Sequence, residues 1–227
     1  MSIYALSDIR GYYNKFIEML KLIKYDSDDC LILVGNSIDK NNLDGSIKMI
    51  RWILNNYYRN PKRLFVLRGI NEEMLINEIK SISYDKECRN IITALLSDGF
   101  TMNQLQELFC HMRWSLPLKR WNFANSCTCN GYNNQMDKTN YESQKDFCIY
   151  SSYHDIMQYG GSVGYQNVFG HYPTVSYYIN ESDKGRIVKF KKNNKHFINI
   201  NCGIYLPNNE GSLGCICVDN ENEYYVT

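Results

Sequence analysis

The sequence predicts an α/β fold, and three observations lead to this prediction. Short apolar runs bounded by Gly or Asp alternate with longer stretches that carry apolar residues at three- and four-residue spacing. The apolar runs of the first third are nearly continuous, as in parallel strands that are buried on both faces. With 227 residues, of which 44% are hydrophobic, the chain is long enough to bury a sizeable core.

The first third of the chain reads as a βαβαβ unit. We predict strands at residues 3–6, 30–34 and 63–67, and helices at residues 14–23 and 43–58. Such a unit builds a parallel sheet with right-handed crossovers. In these sheets the functional side chains lie in the turns that follow the strands, and Asp8, Asn36 and Asn71 fall there.

The remaining two thirds change from helices to strands. Residues 72–113 are predicted to be helical with a break at 97–101, and residues 130–145 are polar, rich in Asn and predicted to form a loop. Further strands are expected at residues 123–129, 168–169, 174–178, 187–190, 196–200 and 213–218, with a hairpin turn at 183–185. The chain shows no internal repeat or Pro-rich linker, so we expect one domain over residues 1–227.

Charge and hydropathy exclude several classes of partner. The 25 basic residues barely outnumber the 24 acidic ones, so neither general nucleic-acid binding nor membrane binding is expected. No apolar run reaches the roughly 18 residues that a membrane span requires. The first six residues lack the charged start of a secretory signal and read as a strand, so we expect a cytoplasmic protein.

The nine cysteines are expected to be reduced thiols in a core, because their number is odd and their spacing irregular. An alternative is a zinc site with four thiolates. It would be built from the two Cys-x-Cys pairs, Cys127 with Cys129 and Cys215 with Cys217.

Four short motifs follow apolar runs in a fixed order along the chain. They are Asp8-Ile9-Arg10-Gly11, Gly35-Asn36-Ser37-Ile38-Asp39-Lys40, Leu67-Arg68-Gly69-Ile70-Asn71-Glu72 and Gly170-His171-Tyr172-Pro173. They resemble the G-D-x-H-G, G-D-x-x-D-R-G, R-G-N-H-E and G-H-T-P patterns of the calcineurin-like metallophosphoesterases. The resemblance is to the serine/threonine phosphatase type, which includes small bacterial and phage enzymes. It implies a fold of two mixed β-sheets packed face to face, with helices outside.

The resemblance also implies where a two-metal site would lie, and most of its ligands are replaced here. Asp8 and His171 match metal ligands, whereas Asn36 stands for the Asp that bridges the two metals. Asn71 stands for the His that acts as general acid, and Asp39 matches the residue that orients it. The remaining replacements are Arg10 for a His ligand, Ile70 for an Asn ligand, Asn201 for an Asp and, in a loose alignment, Cys129 for a His.

These replacements remove charge and donor atoms that the chemistry requires. A guanidinium stays protonated and cannot ligate a metal, and two neighbouring dications need a bridging anion that a neutral amide does not supply. We therefore expect a pseudophosphatase without a cofactor, which binds a protein partner or a phosphorylated ligand with little or no turnover.

Two other classes remain open. The first is an active protein phosphatase or nucleotide phosphohydrolase with a single divalent metal such as Mn²⁺. Asp8 and His171 would be its ligands, with Asn36 and Cys129 as further candidates. The second is a structural subunit without a ligand.

Three cations match or adjoin positions near the phosphate of such enzymes, namely Arg10, Lys40 and Arg68, so a phosphate-binding pocket is expected. Arg10 is expected to form a bidentate pair with Asp8, which either places a positive charge where a metal would lie or only fills an inactive site. Asp39 is expected to accept a hydrogen bond from Asn71.

Overall fold

The computed structural model describes residues 1–82, 84–129, 141–177, 180–207 and 210–227 of the chain. Most of the predicted loop at 130–145, from residue 130 to residue 140, lies outside the described residues. None of the helices in the described ranges is long and apolar enough to cross a membrane.

The first sheet contains the predicted βαβαβ unit. Its elements are β1 (Ile3–Leu6), α1 (Tyr13–Leu22), β2 (Cys30–Leu33), α2 (Leu43–Tyr57) and β3 (Leu64–Val66). β2 pairs in parallel with β1 and with β3. Three helices follow, which are α3 (Ile70–Ile79), α4 (Lys86–Ser97) and α5 (Met102–His111). Two strands from the end of the chain, β9 (Leu213–Cys217) and β10 (Glu223–Val226), complete the sheet in the order β10-β9-β1-β2-β3.

The second sheet is built from the rest of the chain. Its strands are β4 (Ser115–Leu118), β5 (Trp121–Ala124), β6 (Gln166–Phe169), β7 (Val188–Lys192) and β8 (Lys195–Asn199), in the order β4-β5-β6-β8-β7. Two short helices, α6 (Gln144–Tyr150) and α7 (Tyr153–Tyr159), lie between β5 and β6 in the chain. The sheet is mixed, because β5, β6 and β8 run parallel while β4 and β7 run antiparallel to their neighbours.

Three apolar clusters define the layers. Alternate residues of β1 point to opposite faces, so Ala5 joins the cluster between the sheets while Leu6 joins the cluster under the helices of the first half. The cluster between the sheets contains Phe123 and Val168 from the second sheet. A third cluster, under α6 and α7, covers the other face of that sheet. The chain is therefore a β-sandwich with helices on both outer faces.

Two predicted elements of the second half are wrong. Residues 174–178 were expected to form a strand, but Ser176 and Tyr177 both donate their backbone N–H to the Pro173 carbonyl, which makes a turn over the described residues 174–177. The hairpin turn lies at Asn193 and Asn194, between β7 and β8, and not at residues 183–185. Both asparagines have positive φ (51° and 59°), as a tight hairpin turn requires. Residue 183 instead ends a short 3₁₀ helix, Glu181–Asp183, and residues 184–185 follow it.

Candidate functional site

The site lies where the loops after β1, β2, β3 and β6 meet. Asp8 is almost fully buried there (1% exposed) and accepts two hydrogen bonds. Its Oδ2 accepts the backbone N–H of His171 at 2.8 Å, and its Oδ1 accepts the Asn36 side-chain amide at 3.0 Å. Three of the residues predicted as metal ligands are thus together, at the carboxyl ends of the strands as expected.

The site loops hold their side chains in a strained backbone. Asp8, Arg10, Asn36 and His171 all have positive φ, between 49° and 65°, which L-residues adopt at a cost on the order of 1 kcal/mol or more each. The neighbouring loops fix this geometry, because Asp8 donates its N–H to the Gly35 carbonyl at 3.1 Å and Arg10 donates to the Asn36 carbonyl at 2.9 Å. Gly170 allows the close approach, since a Cβ at this position would clash with the Asp8 carboxylate.

Asn36 is the centre of the polar network. Its Nδ2 donates to Asp8 Oδ1 and to Asn125 Oδ1, both at 3.0 Å. Its Oδ1 accepts the backbone N–H of Asn71 at 3.2 Å and the Asn71 side chain at 3.4 Å. The amide nitrogen therefore faces Asp8, and the only side-chain oxygen faces α3. In this orientation Asn36 cannot share a metal ion with Asp8.

Arg10 bridges two carboxylates. Its Nε lies 3.6 Å from Asp8 Oδ1, and its Nη1 donates to Asp39 Oδ2 at 3.3 Å. The expected contact between Arg10 and Asp8 is confirmed, but it is not bidentate. The expected hydrogen bond between Asp39 and Asn71 is wrong, because Asp39 accepts from Arg10 while Asn71 donates to Asn36.

An aromatic ring covers this guanidinium. The Cζ of Arg10 lies 4.0 Å from the centre of the Tyr205 ring, and Asn201 donates its side-chain amide to the Tyr205 hydroxyl at 3.3 Å. Burial alone would lower the pKa of Arg10, but Asp8, Tyr205 and Asp39 raise the pKa above its ordinary value overall. Arg10 is therefore a permanent cation in the site. Tyr205 was not a sequence candidate, because nothing in its neighbourhood distinguishes it from the other tyrosines.

His171 lies beside Asp8 and Arg10, and its imidazole ring is neutral. Burial lowers its pKa, the Arg10 charge lowers it further, and Asp8 opposes both. Its Nδ1 is buried and accepts or donates no hydrogen bond within the described residues. An imidazole nitrogen without a partner is a donor atom that can bind a ligand.

The buried carboxylate of Glu72 connects the loop after β2 to the loop after β3. Its carboxylate accepts four backbone N–H groups, from Ser37 at 2.7 Å, Asn36 and Gly69 at 2.8 Å, and Ile38 at 3.3 Å. Burial raises the pKa of Glu72 and these hydrogen bonds oppose the rise. Glu72 was not a sequence candidate. The available signal was its position three residues after Gly69, at the start of a predicted helix, where a glutamate can reach back to the backbone.

Two of the three predicted phosphate-binding cations are engaged outside the site. Lys40 forms an ion pair with Asp85 at the start of α4, with Nζ 2.8 Å from Oδ2. Arg68 donates to the carbonyls of Met112 (2.7 Å) and Cys110 (2.9 Å) and to Glu73 (3.3 Å). These partners account for the geometry of both side chains, so Arg10 is the one member of the three that lies against Asp8 and Asp39. Its role in phosphate binding stays a prediction.

Cys129 is not a site residue. It lies in the cluster under α6 and α7, with its Sγ 3.5 Å from the Tyr159 carbonyl. Asn125, which directly follows β5, contacts Asn36 in its place. The sequence missed Asn125 because the strand was predicted to continue to residue 129. The two Cys-x-Cys pairs do not converge either, since Cys215 and Cys217 lie under the helices of the first half.

The donor set does not fit a two-metal centre. Both Asp8 oxygens accept hydrogen bonds, Asn36 turns its nitrogen toward Asp8, and Arg10 adds a positive charge beside them. Over the described ranges there is no group of three or more His, Cys, Asp or Glu side chains that could hold a metal ion.

No family model and no curated protein matches the sequence. Solved structures do match the fold. One is a protein serine/threonine phosphatase from Saccharomyces cerevisiae, with a TM-score of 0.64 and 12% identity over 100% of this chain and 79% of that one. Another is a candidate diadenosine tetraphosphatase, with a TM-score of 0.62 and 12% identity over 99% of this chain and 92% of that one. A third is a metallophosphoesterase from Sphaerobacter thermophilus, with a TM-score of 0.57 and 12% identity over 100% of this chain and 89% of that one.

These similarities define the fold class. The chain has the calcineurin-like metallophosphoesterase fold, as the motifs predicted. At 12% identity the similarity extends to the fold alone, so activity has to be argued from the site.

Proposed function

We propose that this protein is a pseudophosphatase, which uses the phosphatase fold to bind a protein partner and does not hydrolyse phosphoesters. The observation that carries the proposal is the position of Arg10 between Asp8 and Asp39. A phosphoesterase of this fold needs metal ions to generate hydroxide and to stabilise the phosphoryl oxygens. Here a guanidinium, which can neither bind a metal ion nor activate water, lies between the two carboxylates.

The charges of the site favour a protein partner over a phosphorylated ligand. Asp8 and Asp39 outnumber the one guanidinium of Arg10, and His171 is neutral. Lys40 and Arg68 are engaged elsewhere. A phosphate would therefore meet an excess of negative charge, and binding it would require Arg10 to leave both of its partners.

Half-exposed tyrosines beside the site support the same choice. Tyr153, Tyr172 and Tyr177 pack against one another next to His171, with ring centres 4.7–5.7 Å apart. Tyr177 is 39% exposed. Tyrosines of this kind, with an apolar ring and a polar hydroxyl, are enriched in protein interfaces.

The proposal is tested by measuring metal content and hydrolysis together. The purified protein in excess Mn²⁺ is expected to hold clearly fewer than two metal ions per chain by elemental analysis. It should hydrolyse p-nitrophenyl phosphate no faster than the Asp8→Ala variant. A chelator should leave its thermal unfolding unchanged, because no metal holds the loops. Two tightly bound ions per chain would contradict the proposal.

A second candidate function is a phosphoesterase with one divalent metal. It is favoured by the unpartnered Nδ1 of His171, which is the kind of atom that such a metal binds. In that case Mn²⁺-dependent hydrolysis should be well above background and Asp8→Ala should abolish it, which would replace the first proposal.

A further inference from the structure

We propose that the Arg10 guanidinium is a built-in cation that does for the loops of this site what a bound metal ion would do. The inference rests on the proposed absence of a metal centre. Arg10 supplies the positive charge of the pocket and also the contacts that join its loops. The pocket therefore keeps its shape without any bound ion.

Arg10 connects several segments of the chain. A metal ion stabilises a fold by joining ligands from several segments of the chain. Arg10 makes the same kind of joint, because its guanidinium contacts Asp8 in its own loop, Asp39 in the loop after β2, and Tyr205 in the segment between β8 and β9. Its main chain adds a fourth link, since its carbonyl accepts the side chain of Asn42 at the start of α2.

Arg10 also supplies the positive charge beside two carboxylates. Asp8 is buried and Asp39 has a side chain that is only 17% exposed, so both carboxylates need a countercharge. Arg10 is the cation that the structure places on both of them. Without it, both carboxylates would lie in the site with no cation against them, and a cation supplied in solution would be attracted to the same position.

The backbone of Arg10 has an unfavourable conformation. Arg10 has a φ of 49°, a region that arginine rarely adopts, and its Nε lies 3.6 Å from Asp8 without a hydrogen-bond partner. A side chain that only filled space would be more stable on a backbone with negative φ. The backbone hydrogen bond from Arg10 to the Asn36 carbonyl fixes this conformation, and the electrostatic contact with two carboxylates offsets part of its cost.

The test uses Arg10→Ala, with thermal unfolding as the readout. Arg10→Ala should lower the Tm by on the order of 5–10 °C, because it leaves two carboxylates without a countercharge. Millimolar Mn²⁺ should restore a measurable part of that loss in Arg10→Ala and should not shift the Tm of the unmodified protein. Methylguanidinium at the same concentration should also stabilise the variant. Both effects should disappear in Arg10→Ala combined with Asp8→Asn.

The matched control is Arg63→Ala, which removes another arginine that is ion-paired with a carboxylate, Asp28, but lies at the surface. Its Tm should change little and should not respond to Mn²⁺. Should Arg10→Ala fail to fold, Arg10→Lys and Arg10→Met replace it. The lysine variant is expected to keep most of the stability and the methionine variant to lose it.

The outcomes separate this inference from the proposed function. An Arg10→Ala variant that is as stable as the unmodified protein, or one that neither cation stabilises, overturns the inference and leaves the pseudophosphatase proposal standing. An Arg10→Met variant as stable as Arg10→Lys overturns it as well. If the unmodified protein itself binds two Mn²⁺ ions, the proposed function fails first.

Discussion

At the scale of single residues, an amide in place of a carboxylate at position 36 decides what the pocket can hold. The side-chain nitrogen of Asn36 donates to Asp8 and to Asn125, and its oxygen accepts from Asn71. An aspartate has the same shape but only acceptors. Exchanging the two residues therefore hardly changes the side-chain volume. It changes the hydrogen bonding strongly, because two hydrogen bonds are donated by the amide nitrogen.

The first prediction is that Asn36→Asp destabilises the fold near neutral pH by about 2–4 kcal/mol. The introduced carboxylate would face the Asp8 carboxylate and the Asn125 oxygen with no proton to share. Its pKa in the folded state should rise, so the loss should become smaller as the pH falls and the group is protonated. Urea unfolding near neutral pH and at about pH 5 measures both effects.

Asn41→Asp is the control for this experiment, because Asn41 is exposed and lies in the same loop. It should change the free energy of unfolding by about 0.5 kcal/mol or less at either pH. Equal losses of unfolding free energy in the two variants would show that the effect does not depend on the hydrogen bonds of Asn36.

At the scale of elements, the loop after β2 is tied to a distant helix. Lys40 pairs with Asp85, and the same carboxylate caps α4 by accepting the backbone N–H of Cys88 at 3.0 Å. The hydrogen bond from Lys40, with the cap, lowers the pKa of Asp85 to about 2. This contact explains why Lys40, although it lies in a site motif, does not point into the site.

The second prediction follows from the sign of that shift. A carboxylate whose pKa is lowered in the folded state stabilises the fold above its ordinary pKa of about 3.9 and loses this contribution as the pH falls toward the lowered value. The unmodified protein should therefore be more stable than Asp85→Asn at pH 5 and above, and the difference should shrink between about pH 4 and pH 2.

Thermal unfolding of both proteins across this pH range measures the difference. Asparagine is also a good helix cap, so the start of α4 is kept and the comparison isolates the charge. Lys40→Met should remove most of the same pH dependence. A difference that stays constant down to pH 2 would contradict the assignment.

The elements that the sequence predicted are those whose burial is regular. The strands β1 and β2 were predicted because they are buried at every residue and therefore appear as unbroken apolar runs in the sequence. These runs also set off the helices of the first third. The edge strands β4 and β10 were missed because they bury only one residue each among exposed or half-buried ones. The helices α6 and α7 have seven residues each, too few for a helical period to emerge.

The site could be predicted only in part, for a related reason. Asp8, Asn36 and His171 were located because the position of a residue after a strand fixes where its backbone lies. The long side chains of Lys40 and Arg68 were not, since a motif does not encode the direction in which a flexible cation extends. Asp85 is 45 residues from Lys40, and the carbonyls of Met112 and Cys110 are 44 and 42 residues from Arg68.

At the scale of the whole molecule, the packing of the two sheets assembles the site. The first sheet contributes Asp8 and Asn36, while the second contributes Asn125 after β5 and His171 after β6. Each sheet alone holds only part of the donor set. A complete set of catalytic donors would therefore need residues from the loops of both sheets together.

The third prediction is that single repairs leave hydrolysis of p-nitrophenyl phosphate at background. Arg10→His alone still lacks a bridging anion, and Asn71→His alone has no activated water to work with. Catalytic groups that act as a unit are strongly non-additive. A variant that combines Arg10→His, Asn36→Asp, Ile70→Asn and Asn71→His should gain Mn²⁺.

The structure adds Asn125→His to this combined variant, because Asn125 contacts position 36. Elemental analysis and a Mn²⁺-dependent assay measure the gain, with the combined variant carrying Asp8→Ala as the control. Activity restored by one substitution alone would show that the site is closer to a working enzyme than its donor set implies.

The outer strand of the second sheet has a consequence for how the molecules behave when concentrated. β7 lies at the edge of that sheet and carries lysines at three of its five positions, Lys189, Lys191 and Lys192, all of them exposed. An open strand edge is a template for pairing with another chain. Two molecules that joined through this edge would bring these lysines together, so the repulsion between them opposes edge-to-edge aggregation.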